Sequence, residues 1–242
     1  MATPRPARRR RAWPDWPAYL ADRATRVHHP LLGDFLSAGC PAIDTPIGEA
    51  PLAALDIETT GLDPRRHAVV SVGVVPFGLT RIPLRGARYW VLRPSRALTG
   101  TSVTLHHITH AEVQDAPDLA EILPELLAIL KGRVAVVHYR HIERPFLDSG
   151  IQARLGEGLR FPMIDTMSLE ARLHRQSPWA RFRRWLGRPP VSIRLHASRE
   201  RYGLPLYQGH HALVDALATA ELLQAQVASR FSHDTPVGEL WS

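Results

Sequence analysis

The feature that most constrains this chain is a pair of carboxylates at the end of an apolar strand. Residues 52–55 form a short apolar run that leads directly into Asp56-Ile57-Glu58. Residues i and i+2 of a strand face the same side, so both carboxylates should project together. Two buried carboxylates repel each other unless a cation neutralises them, and oxygen ligands favour Mg²⁺ or Mn²⁺. The pattern therefore predicts a buried strand that carries a metal site.

The segments that follow indicate a mixed sheet in an α/β domain. Apolar, β-branched patterns at residues 69–77 and 88–92 follow the first strand and suggest an antiparallel meander. Strand patterns at residues 134–137 and 161–164 alternate with helical patterns, which is typical of α/β domains. Helices are expected at residues 119–130, where Pro124 should kink the helix or delay its start, at residues 142–155 and at residues 212–228.

Three regions are expected along the 242 residues. Residues 1–45 read as a basic N-terminal extension with two short helices around residues 16–26 and 31–38, residues 46–230 as the α/β domain, and residues 231–242 as a C-terminal tail. No apolar run approaches the roughly 20 residues that span a bilayer. Cys40 is the only cysteine, which excludes an internal disulfide and fits a reducing compartment. We therefore expect a cytoplasmic protein with no membrane partner.

The charge of the chain fits a polyanionic partner. The formal charge is +7, and all positive residues except Lys131 are arginines, whose planar guanidinium suits phosphate oxygens. Genome composition explains the arginine bias equally well. In residues 172–201, arginines are interleaved with Trp179, Phe182 and Trp185, a composition that can stack bases and bind phosphates. The alternative is an amphipathic helix that packs its aromatics on the core. We favour core packing for the aromatics and nucleic acid for the arginines.

A second acidic element stands before the last long helix. It begins with His210 and ends with Asp215, which should lie in the first turn of that helix. A helix N-terminus favours anions, so a phosphate and its metal could be gathered there. A histidine at this place is suited to act as a general base near neutral pH. Together with Asp56 and Glu58, these residues indicate a phosphate-directed metal site.

These motifs resemble those of the DEDDh exonuclease superfamily, which includes the proofreading epsilon subunit of bacterial DNA polymerase III. The first family motif, D-x-E-T-T-G-L, matches residues 56–62, and the third, H-x-A-x-x-D, matches residues 210–215. Residues 106–109 resemble the family's H-G-I-T loop with His107 in place of the glycine, and residues 165–166 match its D-T pair. The resemblance implies a ribonuclease H-like α/β fold with three antiparallel strands, then parallel ones, flanked by helices.

The second family motif, roughly H-N-x-x-F-D-x-x-F-L, is where this chain departs from the pattern. In residues 138–147, Tyr139 stands at the usual asparagine and Glu143 at the usual aspartate. Glutamate keeps the charge but adds one methylene, which is expected to change the affinity for a second metal ion and not the reaction class. Asp148 is a less favoured substitute. Some stand-alone bacterial relatives have a similar I-E-R-x-F-L version, so the departure fits a subfamily.

By resemblance, the site residues and the reaction can be carried over. Asp56, Glu58 and Asp215 would hold one divalent ion, Asp56 and Glu143 a second, and His210 would be the general base. Leu62 and Ile108 would wedge against the terminal bases. The substrate-binding positions implied by the family are Thr59, Thr60, Gly61, Leu62, His107 and Ile108. The implied reaction is two-metal hydrolysis at the 3′ end of single-stranded or frayed DNA, with release of nucleoside 5′-monophosphates.

Three alternatives to this reading stay open. The first is an RNA-trimming 3′→5′ exoribonuclease, because such enzymes share the same site. The second is a non-catalytic nucleic-acid-binding protein on a degenerate exonuclease fold, against which the retained His210 argues. The third is a polymerase-bound proofreading subunit, which would need a partner-binding segment that only the arginine-rich N-terminal arm could provide.

Overall fold

The computed structural model describes residues 15–95, 108 and 110–242, without the side chains of residues 110 and 111. The five strands of its sheet have the spatial order β3-β2-β1-β4-β5. β1 pairs antiparallel with β2, and β2 with β3, whereas β4 is parallel to both β1 and β5. The expected mixed sheet is therefore confirmed. The strands are β1 (Leu52–Thr59), β2 (Val69–Phe77), β3 (Arg88–Val91), β4 (Val134–Val137) and β5 (Met163–Asp165).

Helices flank this sheet, and none of the described ones combines the length and apolarity that crossing a bilayer requires. Pro124 does not delay the start of its helix, because Asp118 caps the first turn: its carboxylate accepts from the Ala120 amide at 2.8 Å, and Glu121 accepts from the Asp118 amide at 2.8 Å. The helices are α1 (Trp16–Ala24), α2 (Pro30–Ser37), α3 (His110–Gln114), α4 (Leu119–Leu130), α5 (Arg140–Leu155), α6 (Thr166–His174), α7 (Pro178–Trp185), α8 (Leu195–Arg201) and α9 (Ala212–Arg230).

The two faces of the sheet bury two separate hydrophobic clusters. Alternate residues of β1 point to opposite faces, so Leu55 joins a cluster with α2, α4 and α5, while Leu52 and Ala54 join a cluster with α9. Asp56 and Glu58 have the same parity as Leu52 and Ala54. They therefore lie on the face of the sheet that α9 covers.

The segments on either side of the sheet region also contribute to these clusters. Leu32 of α2 is buried in the α4–α5 cluster, and Trp241 near the C-terminus is buried in the α9 cluster. The chain ends beside β5, where the Ser242 amide donates to the Met163 carbonyl at 2.8 Å. The boundaries after residues 45 and 230 remain predictions.

Two of the arginines in residues 172–201, Arg199 and Arg201, have acidic partners within the protein. Arg199 is buried and donates to the Ala218 carbonyl at 2.6 Å and to Glu221 at 2.7 Å, so the expectation that it binds nucleic acid is wrong. Arg201 pairs with the buried carboxylate of Glu170. The expected packing of the α7 aromatics on the core is also wrong, because no residue of α7 is buried.

Candidate active site

Three carboxylates from two elements come together at the end of β1. Ligand oxygens of Asp56, Glu58 and Asp215 all lie within 4.8 Å of one another. The first two project from β1, and Asp215 projects from the first turn of α9. Oxygen atoms at this spacing from separate elements could be bridged by a hard divalent cation.

Gly73 allows α9 to approach the sheet closely enough to form this cluster. Gly73 of β2 is the register partner of Asp56. A Cβ atom built on Gly73 would meet the carbonyl carbon and oxygen of Ala212 at 2.3 Å and the Leu213 nitrogen at 2.4 Å. The backbone of the first turn of α9 therefore lies directly on β2. Sequence reasoning missed this residue, although a glycine inside an apolar β-branched run marks a close backbone approach.

His210 and Asp215 are fixed to each other through the backbone. The His210 amide donates to the Asp215 carboxylate at 2.8 Å, and His210 has a φ of 68°. A left-handed conformation is uncommon for a residue with a side chain and is often found at functional sites. The side chain of His210 is exposed at the rim of the cluster. Next to it, His211 stacks on Tyr89 of β3 with ring centroids 4.4 Å apart.

Glu143 brings a fourth carboxylate from α5, which packs on the face of the sheet opposite to α9. It lies in the first turn of α5 and is only 3% exposed. Its Oε2 atom is buried without a hydrogen-bond partner among the described residues. Burial raises the pKa of Glu143 well above its ordinary value, and the nearby carboxylates Asp165 and Glu58 add to this rise. An orphaned, buried carboxylate oxygen is costly, and a bound cation would remove that cost.

The carboxylates of the cluster also destabilise one another's charge. Burial raises the pKa of Asp56 well above its ordinary value, and the charges of Glu143, Glu58 and Asp215 raise it further, in that order. Burial likewise raises the pKa of Asp215, although its hydrogen bond from the His210 amide opposes the shift. The site therefore concentrates negative charge that only protons or cations can offset.

Asp148 does not compete with Glu143 for this place. Its carboxylate accepts a hydrogen bond from Arg160 at 2.9 Å and so forms an ion pair outside the cluster.

The turn after β1 is held by its own threonines and by a histidine. The Thr59 hydroxyl donates to the Gly61 carbonyl at 2.7 Å, and the Thr60 hydroxyl accepts from the Ala68 amide at 3.0 Å. A Cβ atom on Gly61 would meet the His67 ring at 2.4 Å, so glycine is required there to leave room for the imidazole. This turn presents Leu62 to solvent with 79% of its surface exposed.

The remaining positions carried over from the family have different surroundings. Ile108 is only 6% exposed and packs with Val70 and Val113. His107 lies outside the described residues. Tyr139 is exposed and adopts a φ of 114° ahead of α5, where its amide donates to Asp165 at 3.2 Å. The left-handed conformation explains why a short polar residue suits that position better than tyrosine.

His138 has a structural environment rather than a place in the cluster. Its Nδ1 lies 2.8 Å from the Thr166 hydroxyl, and its Nε2 lies 3.1 Å from the Ile193 carbonyl. Burial lowers the pKa of His138 to about 4, so the ring is neutral near pH 7. The neutral ring ties the end of β4 to the segment before α8.

Comparison with known proteins points to one family. The family model described as Exonuclease (RNase_T) matches residues 53–223. DNA polymerase III PolC-type of Thermotoga maritima is 28% identical over 179 residues, which are 74% of this chain but 12% of that protein. The chain thus spans about an eighth of the curated relative.

Solved structures share the fold. Exonuclease X in complex with 5′ overhanging duplex DNA has a TM-score of 0.56 and 22% identity, with 76% of this chain and 96% of that chain covered. The nuclease domain of 3′hExo, a DEDDh family member bound to rAMP, has a TM-score of 0.59 and 17% identity, with coverage of 74% and 92%.

Proposed function

The chain belongs to the RNase_T exonuclease family within the DEDDh superfamily, and we propose that it removes nucleotides from the 3′ end of single-stranded or frayed DNA by metal-dependent hydrolysis. The products would be nucleoside 5′-monophosphates. The observation that carries this proposal is the cluster of Asp56, Glu58 and Asp215, whose oxygens lie within 4.8 Å of one another. Glu143 supports it with a buried oxygen that has no partner among the described residues.

The donor set is suited to hard divalent cations. We assign Asp56, Glu58 and Asp215 to one ion and Asp56 with Glu143 to a second, and Mg²⁺ or Mn²⁺ fit ligands that are all oxygen. When bound, such ions polarise phosphoryl oxygens and offset the charge of the carboxylates. The raised pKa of Asp56 and the orphaned oxygen of Glu143 support this assignment, because both unfavourable features are relieved by a cation.

We assign His210 the role of general base. Its side chain is exposed at the rim of the carboxylate cluster, where an imidazole nitrogen could accept the proton of the attacking water. The hydrogen bond from its amide to Asp215 keeps the histidine at a fixed distance from the cluster. A module that only binds nucleic acid has no need for a base in this position.

The turn after β1 would hold the terminal nucleotide. Leu62 is exposed and could pack against the last base, while the backbone of Thr59 and Thr60 could meet the 3′-hydroxyl. Ile108 is nearly buried, so we assign it mainly to supporting the surface on which that base packs. His107 precedes it in the chain. Gly61 contributes by leaving space for His67, which shapes the turn.

DNA is the favoured substrate, and RNA is the second candidate. The PolC-type relative is a DNA polymerase by name, and Exonuclease X was solved with duplex DNA. The neighbour bound to rAMP shows that a related fold accommodates a ribonucleotide. The match covers 74% of this chain and 12% of the polymerase relative, and a polymerase partner remains an alternative that is not part of this proposal.

The test compares oligonucleotides labelled at the 5′ or the 3′ end, as DNA and as RNA, with Mg²⁺, Mn²⁺ or chelator. A 5′ label should give a ladder of shortening products, and a 3′ label should appear at once as mononucleotide. His210→Ala should lose nearly all activity, whereas His233→Ala, an exposed histidine outside the cluster, should retain it. Equal turnover by both variants, or a protein that binds the strands without cleaving them, would overturn the enzymatic reading.

A further inference from the structure

Helix α7 carries an exposed row of aromatic rings. Trp179, Phe182 and Trp185 follow one another at intervals of three residues and are 65%, 46% and 78% exposed. Their rings stack on each other, with centroids 5.6 and 5.9 Å apart and planes inclined by 26° and 30°. Large aromatic rings are rarely left in water without a partner, and a continuous exposed patch marks an interaction site.

Arginines surround these rings without being engaged elsewhere. Among the described residues, the side chains of Arg183, Arg184 and Arg188 form no hydrogen bond or ion pair, in contrast to Arg199 and Arg201. All three line a cavity of about 210 Å³ whose wall also includes Trp179. Residues 171–199 contain no aspartate or glutamate. The partner that complements this surface is therefore a polyanion.

Helix α7 is amphipathic, so its shape alone fits a membrane surface as well as nucleic acid. Arg183 is four residues from Trp179, and Arg181 is four residues from Trp185, so these arginines lie beside the rings on the helix surface. Rings flanked by guanidinium groups can bind a single strand, whose bases stack on the rings while its phosphates meet the arginines. The link from α7 to the carboxylate cluster favours this second partner.

The segment after α7 leads from this surface to the carboxylate cluster. Val191 lines the 210 Å³ cavity, and Arg194 lines a second cavity of about 330 Å³ together with His210 and Asp215. The three residue steps between Val191 and Arg194 span at most about 11 Å. His138 holds this segment in place through the contact of its Nε2 with the Ile193 carbonyl at 3.1 Å.

We propose that Trp179, Phe182, Trp185, Arg183, Arg184 and Arg188, called here the α7 platform, bind the single strand upstream of the 3′ end that enters the active site. This proposal rests on the proposed function, because it names the place where the rest of the same substrate is held. The platform acts in binding only, so it should determine affinity for long strands and not the rate of hydrolysis.

Direct binding tests the platform independently of catalysis. The full chain is titrated, in the presence of chelator, onto a fluorescent oligothymidylate, and the dissociation constant is read from anisotropy. Trp179→Ala with Trp185→Ala should weaken binding about tenfold or more, since each stacked ring contributes roughly that much to single-strand affinity. Arg183→Glu with Arg184→Glu should weaken binding and reduce its dependence on salt. None of these residues is buried, and thermal melting verifies the fold of each variant.

Matched controls come from the opposite end of the sheet. Leu84 and Arg85 are exposed in a short helical turn after β2. The C-terminal end of β2 pairs with the start of β1, so this turn follows the end of the sheet that is away from Asp56. Leu84→Ala and Arg85→Glu should leave both the affinity and its salt dependence unchanged. An equal loss of affinity in these controls would show a diffuse charge effect and would overturn the platform.

Kinetics separate the platform from the active site. The α7 variants should raise KM for a long oligonucleotide while leaving kcat, and all constants for a dinucleotide, unchanged. If the wild type hydrolyses DNA and the α7 variants bind and cleave long strands normally, the platform is wrong and the proposed function stands. If the wild type hydrolyses nothing, the anisotropy result still decides the platform. If the α7 variants no longer sediment with phosphatidylserine vesicles as the wild type does, but keep the wild-type affinity for DNA, the surface binds membranes and the proposal is overturned.

Discussion

Replacement of Gly73 by alanine tests whether the close approach of α9 to β2 assembles the carboxylate cluster. The added Cβ would meet the carbonyl carbon and oxygen of Ala212 at 2.3 Å, whereas ordinary contact begins at 3.4 Å. The obstacle is backbone, so no side-chain rotation can relieve it. The first turn of α9 must therefore retreat by about 1.1 Å. Asp215 lies in the same turn and should move away from Asp56 with it.

The size of the effect follows from this retreat. Overpacking of a well-packed core typically costs about 1–3 kcal/mol, which in a chain of this length lowers the Tm by roughly 2–12 °C. A displacement of about 1 Å in a catalytic group can cost on the order of a hundredfold in rate. We therefore expect Gly73→Ala to remain folded at moderate temperature, to bind Mn²⁺ more weakly, and to lose about a hundredfold in kcat/KM.

Gly78→Ala is the matched control, because a Cβ at that position, just beyond the end of β2, meets no atom within 4 Å. Urea unfolding gives the free energy of unfolding, calorimetry gives the Mn²⁺ affinity, and release of labelled mononucleotide gives kcat/KM. Gly78→Ala should match the wild type in all three. If Gly73→Ala also matches the wild type in rate and Mn²⁺ affinity, the approach of α9 at Gly73 does not determine the position of Asp215.

Three further predictions concern the titrating groups. The pKa of His138 is lowered from 6.5 to about 4, so between these pH values the imidazole is protonated in the unfolded chain and neutral in the folded one. The free energy of unfolding should therefore fall by up to about 3 kcal/mol as pH drops from 6.5 to 4. Urea unfolding of His138→Gln should show a flatter dependence of this free energy on pH. Mn²⁺ should raise the Tm of the wild type, because at a hundredfold excess over Kd it stabilises the folded chain by about 2.7 kcal/mol. An equal rise in the Tm of Asp56→Asn would refute the assignment of Asp56 as a metal ligand. In chelator, Glu143→Gln should have a higher Tm than the wild type, because a neutral amide avoids the burial of charge. With Mn²⁺ added, its Tm should be lower than that of the wild type.

The parts of the fold that sequence reasoning predicted depend on local patterns. The shared facing of Asp56 and Glu58 follows from the two-residue period of a strand, and the start of α9 just after His210 follows from the position of its apolar stripe. β2 and α4 have the bounds that their patterns predict. Each of these features is determined by a few neighbouring residues.

The parts that were missed depend on contacts between distant segments. Gly73 and Ala212 are far apart in the chain, so nothing local to either predicts that their backbones touch. Arg199 and Arg183 stand in the same basic segment, yet only Arg199 is enclosed, because its partners Ala218 and Glu221 come from α9. The aromatic spacing of α7 predicts an amphipathic helix but not whether another element covers its apolar face. Tertiary packing decides such questions, and here it left that face open.

The placement of charge separates the two steps of substrate binding. The carboxylates Asp56, Glu58 and Glu143 repel a phosphate unless cations offset their charge, whereas the arginines of α7 attract it with or without a divalent cation. A long strand should therefore bind in chelator through the α7 platform, but its 3′ end should enter the active site only when the cluster is neutralised. Wild-type affinity for long DNA should then depend weakly on Mn²⁺, and affinity for a dinucleotide should depend on it strongly. This follows because the dinucleotide is too short to reach α7.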